Sequence, residues 1–355
     1  LFAKNSLLAM RWFRVLGLVA VWNWTIPARP AAAQGDVADF PEYTPVAGVA
    51  GALKSVGSDT MNNLMMLWQE GFRRHYPNVL TQVEGKGSAT APPALRENVA
   101  NFGPMSRPMK EAEIDDFKRR FGYEPTALPV AVDMLAVYVH RDNPIASLSL
   151  RQLDAIYSKS RKAGSAADVR TWGDLGLKGE WADKPISLYG RLPNSGTYGY
   201  FKEHVLLGGD FKDSVKEQPG SSTVVDGVAS ERYALGYSGF GYRRNEVRAV
   251  PLTTDEAPEP VPAEALFAYS GEYPLARDLL VYINHRPGGR LDTLRREFIR
   301  YIYSREGQRS VIDDGYLPVT PYMAAKTVDP LRLGDVAARL RQAVRENGAA
   351  GANPN

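Results

Sequence analysis

Apolar positions recur along this chain in two alternating rhythms. Short strand-like runs at 53–56, 78–83, 130–139 and 186–189 give way to stretches with helical spacing. The clearest of these is 62–75, where Leu64, Met65, Leu67, Trp68 and Phe72 fall three or four residues apart and predict a helix with one buried face. Further helices are predicted over 92–98, 150–157 and 198–207. Residues 34–50 carry Pro and Gly without either rhythm and are expected to be irregular. Strand, turn and helix in repetition predict an α/β protein, with ligands expected where strand C-termini meet helix N-termini.

The turns at those junctions have an unusual composition. Three of them combine glycine with side-chain hydroxyls: G57-S-D-T60, G85-K-G-S-A-T90 and R191-L-P-N-S-G-T197. A helix start leaves N–H groups without intrahelical partners, its dipole favours negative charge, and Ser and Thr add donors. Three such clusters, one with an arginine four residues before its serine, point to a tetrahedral oxyanion held from several directions. Each has a plainer alternative. The first is also an ordinary helix cap, with Asp59 as capping residue, Ser88 fits a solvated loop, Arg191 a surface ion pair, and Ser106 a turn.

Charge changes the picture less than the bulk value implies. The 355 residues hold 43 Lys and Arg against 40 Asp and Glu. Lys4, Arg11, Arg14 and Arg29 all lie in the first 33 residues, which contain no acid, so the remainder has 39 basic and 40 acidic side chains. A nucleic-acid partner therefore has no electrostatic support and is not expected. Residues 1–33 read as a secretory signal: basic residues to Arg14, an apolar stretch from Val15 to about Trp24, then A31-A-A33 before Gln34, with cleavage expected near Ala33. The apolar stretch is short for a membrane span. The absence of cysteine excludes disulfides, thiolate metal sites and a lipid-anchored cysteine at the cleavage point. A periplasmic location follows as the expectation.

The motifs, taken in order, resemble a known family. G57-S-D-T60 before a Trp-bearing helix, G87-S88-A89, N101-F-G-P-M-S-R-P-M109, R191-x-x-x-S195-G-T197, G236-Y-S-G-F-G-Y242 and Y303-S-R-E-G-Q308 are similar to the phosphate-binding proteins of bacterial ABC transporters, the PstS type, over about residues 52–320. The resemblance implies a periplasmic-binding-protein-like fold of two α/β lobes joined by two hinge strands. By analogy the first lobe spans 48–136 and 250–345 and the second 137–249. It also implies a monomer that captures inorganic phosphate and delivers it to a membrane ABC permease, with no cofactor or metal. Carried over by position, Ser58, Asp59, Thr60, Ser88 and Ser106 of the first lobe and Arg191, Ser195, Gly196 and Thr197 of the second form the phosphate site.

Two departures from the family pattern matter. In the motif D-F-G-A-S-D-x-P the last Asp accepts the proton of bound phosphate, and the aligned position here is Ser106. A carboxylate repels a fully deprotonated anion such as sulfate, so this position bears on selectivity. Asp59 and, less directly, Asp133 are the candidates to replace it, while Arg107 is read as a surface charge, with added affinity for a dianion as its alternative role. The family also places an Asp two residues after the site arginine; here that residue is Pro193, and Arg191 needs another partner. A binding protein for sulfate, molybdate, tungstate or a phosphonate shares the same donors, and a secreted phosphate-handling enzyme is the remaining alternative. Enzyme signals are weak. G236-Y-S-G-F240 breaks the nucleophile-elbow pattern, and His75, His140, His204 and His285 are isolated. The aromatic group Tyr233, Tyr237, Phe240 and Tyr242 is read as core and hinge packing, and the tail after about Arg345 as unstructured.

Overall fold

The strand-like runs and helical stretches assemble in sequence order. The computed structural model describes residues 37–350; the segment read as a secretory signal lies outside the described residues. Strands β1 (Gly51–Val56) and β2 (Val79–Glu84) pair in parallel, with α1 (Asn62–His75) as their crossover. Helix α1 has the predicted bounds: Leu64, Met65, Trp68 and Phe72 form its buried face, and Arg73, Arg74 and His75 occupy the last turn, where cations suit the dipole. There follow α2 (Ala91–Arg96), β3 (Gly103–Met105), α3 (Glu111–Phe121) and the long strand β4 (Thr126–His140). Next come β5 (Leu148–Ser149), α4 (Leu150–Tyr157), β6 (Ser187–Arg191), α5 (Gly196–His204), β7 (Lys216–Gln218), α6 (Ser221–Ser230) and β8 (Ala234–Gly239). The chain continues through β9 (Val247–Ala249), β10 (Leu252–Thr253), α7 (Ala265–Ser270), β11 (Ala276–Ile283), α8 (Thr293–Ile302), α9 (Arg305–Asp313), β12 (Leu317–Pro318), α10 (Pro321–Val328) and α11 (Asp335–Ala350).

The main sheet has the order β3-β11-β4-β8-β6-β7, with β9 and β12 also paired to β4. Strand β11 runs antiparallel to β3 and β4, while β6 is parallel to β7 and β8. Two large cores lie along it. One gathers Leu53, Trp68, Phe102, Phe298 and Tyr303; the other gathers Tyr138, Trp172, Phe201, Val224 and Tyr237. Strand β4 serves both, giving Leu128, Val130 and Ala131 to the first and Val132 and Met134 through Val139 to the second. Strand β11 does the same at its start, with Leu275 just before it in the second core and Leu279, Val281 and Ile283 in the first.

Two expectations are corrected here. Val250, Leu252, Ala263, Ala268, Tyr273 and Leu275 pack in the second core, so return to the first occurs near residue 276 rather than 250. The cause is pairing: β10 lies parallel to β5, which keeps the segment on that side. The tail also differs, because α11 continues to Ala350. Val336, Ala337 and Leu340 anchor this helix in the first core, and a helix once nucleated propagates through residues that would not start one.

The motif Y303-S-R-E-G-Q308 has a packing role. Ser304 caps α9 by accepting from the Gly307 N–H, the Tyr303 hydroxyl donates to the Pro129 carbonyl at 2.7 Å, and buried Gln308 donates to the Val130 and Ile302 carbonyls at 3.2 and 3.0 Å. These bonds fasten α9 to the first half of β4. Among the described residues, no helix is long and apolar enough to cross a membrane.

Candidate functional site

The three hydroxyl-and-glycine clusters meet between the two cores. Each sits at a strand end: residues 57–60 after β1, residues 85–90 after β2, and residues 192–197 between β6 and α5. Ser58, Thr60, Ser88, Ser106, Arg191, Ser195 and Thr197 are all buried. Ser58 donates to Ser106 Oγ at 3.2 Å, the Ser106 N–H donates to Ser88 Oγ at 3.0 Å, and the Thr60 and Thr197 hydroxyls share a bond of 3.0 Å. The last bond joins residues 137 positions apart, one from each side.

Backbone donors accompany the hydroxyls. Ser195 caps α5 by accepting from the Thr197 N–H at 3.2 Å. Among the described residues, the N–H groups of Asp59, Thr60, Ser88 and Gly196 have no protein acceptor. Unpaired amides are rare inside a protein, and four at one place can donate to an acceptor such as the oxygens of an anion. Gly196 is required there: a Cβ would stand 2.2 Å from Ser88 Oγ and 2.5 Å from Ser106 Oγ.

Arg191 finds the partner that Pro193 does not provide. Its guanidinium forms an ion pair with Asp59 and donates to Ser221 Oγ at 2.8 Å and the Pro219 carbonyl at 3.4 Å. Ser221 is fixed in turn, its carbonyl accepting from the Ser238 hydroxyl at 3.0 Å. Burial pushes the Arg191 guanidinium down to about 10, which leaves it a cation at physiological pH. The second Asp59 oxygen, Oδ1, is buried without a protein hydrogen-bond donor.

Arg107 is not the surface charge its sequence position implied. It is buried and makes a two-pronged pair with Glu113, Nη1 to Oε2 at 2.8 Å and Nη2 to Oε1 at 2.7 Å. Burial raises the Glu113 carboxyl, but hydrogen bonds from Arg107 and the Lys110 N–H outweigh it and hold the group below its ordinary value. Asp133 is committed to Arg277, which donates to it at 3.0 Å from Nε and 2.7 Å from Nη2. Of the aromatic group, Tyr237 stacks on Phe201 in the second core, as expected for packing. Tyr242 does something further: with Tyr316 it donates to the Thr60 carbonyl, both at 2.9 Å. Burial pushes the Tyr242 hydroxyl up to about 12 and Tyr316 well above its ordinary value, so both stay protonated donors.

Sequence reading missed Arg277, Ser221 and Tyr316. A signal existed for the first, because an arginine in a strand that is apolar apart from itself and Asp278 must be paired if buried. Nothing local marks the other two, whose partners lie 30 and 256 residues away. Among the described residues, no cluster of His, Asp or Glu is arranged to hold a metal ion.

The chain is similar to several known proteins. A sequence model described as the PBP superfamily domain matches residues 43–306. The chain is 50% identical over 294 residues to the phosphate-binding protein PstS of Pseudomonas aeruginosa, covering 83% of this chain and 91% of the relative. It is 28% identical over 272 residues to the PstS of Bacillus subtilis, covering 76% and 82%. Among solved structures, a putative phosphate ABC transporter substrate-binding protein with bound phosphate from Clostridium perfringens superimposes with a TM-score of 0.62 at 25% identity, covering 76% of this chain and all of that one. An ABC-type phosphate transport receptor from Vibrio cholerae shares the fold, with a TM-score of 0.60 at 22% identity and coverage of 75% and 100%.

Proposed function

Because the chain belongs to the PstS-type phosphate-binding proteins of the PBP superfamily, we propose that it captures inorganic phosphate between its two cores and hands it to a membrane ABC permease. The family is one of substrate-binding proteins, not enzymes. One observation carries the reading: unpaired amides of Asp59, Thr60, Ser88 and Gly196, the buried hydroxyl groups and the Arg191 cation converge from both cores on one place. These groups suit an anion stripped of water, since each is a donor and the cation is already desolvated.

In this reading the protein works by closure. Residues up to about 134 and from about 276 form one lobe, residues between them the other, and β4 and β11 are the hinge. Ser58, Asp59, Thr60, Ser88 and Ser106 approach the anion from the first lobe, and Arg191, Ser195, Gly196 and Thr197 from the second. An anion touching both favours the closed state through contacts that the open state lacks. Asp59 takes the part of the missing carboxylate at Ser106: its free Oδ1 accepts the proton of hydrogen phosphate and repels sulfate, which has no proton to give. The protein acts outside the cytoplasmic membrane as a periplasmic monomer, released by cleavage near Ala33, and needs no nucleic acid, metal or cofactor.

The test is calorimetric titration of the mature protein, freed of anion, with phosphate and then sulfate over pH 5 to 9. Tight one-to-one binding of phosphate with sulfate excluded is the expected result. Equal binding of sulfate, or binding of neither, would overturn it and direct attention to molybdate, tungstate and phosphonates.

A further inference from the structure

Arg277 stands inside the site without belonging to any of the loops that form it. It is the second residue of β11 and lies opposite Asp133 of β4 in antiparallel register, close to where both strands pass from one core to the other. Both side chains are buried, Arg277 at 2% and Asp133 at 0% exposure. Such a pair is better tolerated the more of its remaining donors are satisfied. Four of the five guanidinium N–H groups are used: beyond the two bonds to Asp133, Nη2 donates to Thr197 Oγ1 at 3.0 Å and Nη1 to the Ser106 carbonyl at 3.0 Å. The guanidinium also lies 5.2 Å from the centre of the Tyr200 ring, whose hydroxyl donates to the Ala276 carbonyl at 2.9 Å. Arg277 is therefore fixed from both sides and along its own strand.

The consequence lies in hydrogen-bond accounting at Thr197. A hydroxyl has one proton and two lone pairs, and a guanidinium only donates. Arg277 thus occupies one lone pair with a charge-assisted bond, and the Thr197 proton must point elsewhere, toward Thr60 or a bound oxyanion. The same bond polarises the hydroxyl into a better donor. Through the Ser106 carbonyl, the same guanidinium holds the segment that carries the serine cluster of the opposite side.

We propose that Arg277 is a positioning residue of the oxyanion site: anchored by Asp133, it fixes the Thr197 hydroxyl as a donor and ties it to the Ser106 segment. This rests on the reading of the site as an anion trap. The test is a double-mutant cycle on the full mature chain with Arg277→Lys, Thr197→Val and the combination, each titrated with inorganic phosphate and with sulfate, and with the ligand-free melting temperature recorded. Lysine keeps a cation against Asp133 but has no fork to reach Thr197 and Ser106 together. Arg277→Lys is expected to weaken anion binding about tenfold, Thr197→Val at least as much, and the combination no more than about twofold beyond Thr197→Val alone. Thr197→Ser, which keeps the hydroxyl, should bind within about threefold of wild type. Should the lysine variant fail to fold, the apolar pair Arg277→Met with Asp133→Leu replaces it in the cycle, since such exchanges of buried ion pairs are often well tolerated.

Unchanged affinity in Arg277→Lys, or losses that multiply fully in the combination, would overturn the proposal, because a purely structural role has no reason to depend on Thr197. A wild type that binds sulfate but not phosphate would sink the phosphate reading by itself. The cycle is then read with sulfate, where coupling supports the role of Arg277 and additivity refutes it.

Discussion

The buried guanidinium of Arg191 pairs with the carboxylate of Asp59, so a cation at the end of one strand and an acid after another, 132 positions earlier in the chain, share a single charge balance. Neither has a like-placed substitute. Removing one leaves the other charged and buried, which is more costly than never having had the pair.

Arg191→Ala and Thr197→Val are each expected to weaken phosphate binding by at least about tenfold, the scale of about 1.5–3 kcal/mol for a hydrogen bond to a charged group. Calorimetry gives the affinities, and circular dichroism checks that the fold is intact. Unchanged affinity in both would remove the site from consideration.

Asp59→Asn should narrow the preference for phosphate over sulfate, because an amide can donate to an oxyanion that a carboxylate repels. Competition of phosphate with sulfate in wild type and variant measures this directly. An identical ratio in the two would assign the acceptor role elsewhere.

The loops that meet at the site leave no room at Gly87. Its φ is +100°, a region side chains disfavour, and a Cβ would stand 2.5 Å from the Asn194 carbonyl oxygen, which itself accepts from the Ala89 N–H at 3.2 Å. Gly87→Val is therefore expected to hold the two sides apart. Small-angle scattering with saturating phosphate should report a larger radius of gyration than wild type, together with a lower affinity. A wild-type radius and affinity would refute the close approach.

Asp314 predicts a pH effect on stability. Burial pushes its carboxyl up to about 6, partly offset by the Asn63 side chain, against an ordinary value of 3.8. The folded protein thus retains this proton in a window where the unfolded chain has lost it. Stability from this group is full below about pH 4, falls as pH rises through 6, and is lost above, by up to about 3 kcal/mol. Asp314→Asn should raise the melting temperature at pH 7.5 and change it little at pH 4. Carboxyls held low, such as Glu113 and Glu231, have the opposite dependence, and comparison at equal pH cancels them. A uniform shift at both pH values would count against the assignment.

Because the donors are buried hydroxyls, amides and one shielded cation, phosphate affinity should change only modestly between about 0.05 and 0.3 M salt. Titrations across that range test it. A steep loss would mean that exposed basic residues carry the binding.

Much was legible in the sequence because it depends on near neighbours. Helical spacing placed α1 at 62–75, and glycine with hydroxyls after a strand marked the junctions where unpaired amides are found. The α/β class and the motif order led to the family that the comparisons establish. What the sequence left open depends on which distant strands become neighbours. The pairing of β10 with β5 keeps residues 250–275 in the second core, and the register of β11 on β4 sets Arg277 against Asp133. The fold also turns Arg107 inward onto Glu113 and brings Asp59 to Arg191. Local propensity is written in consecutive residues. The partner of a buried charge is decided by whichever element packs against it, and only the tertiary structure contains that information.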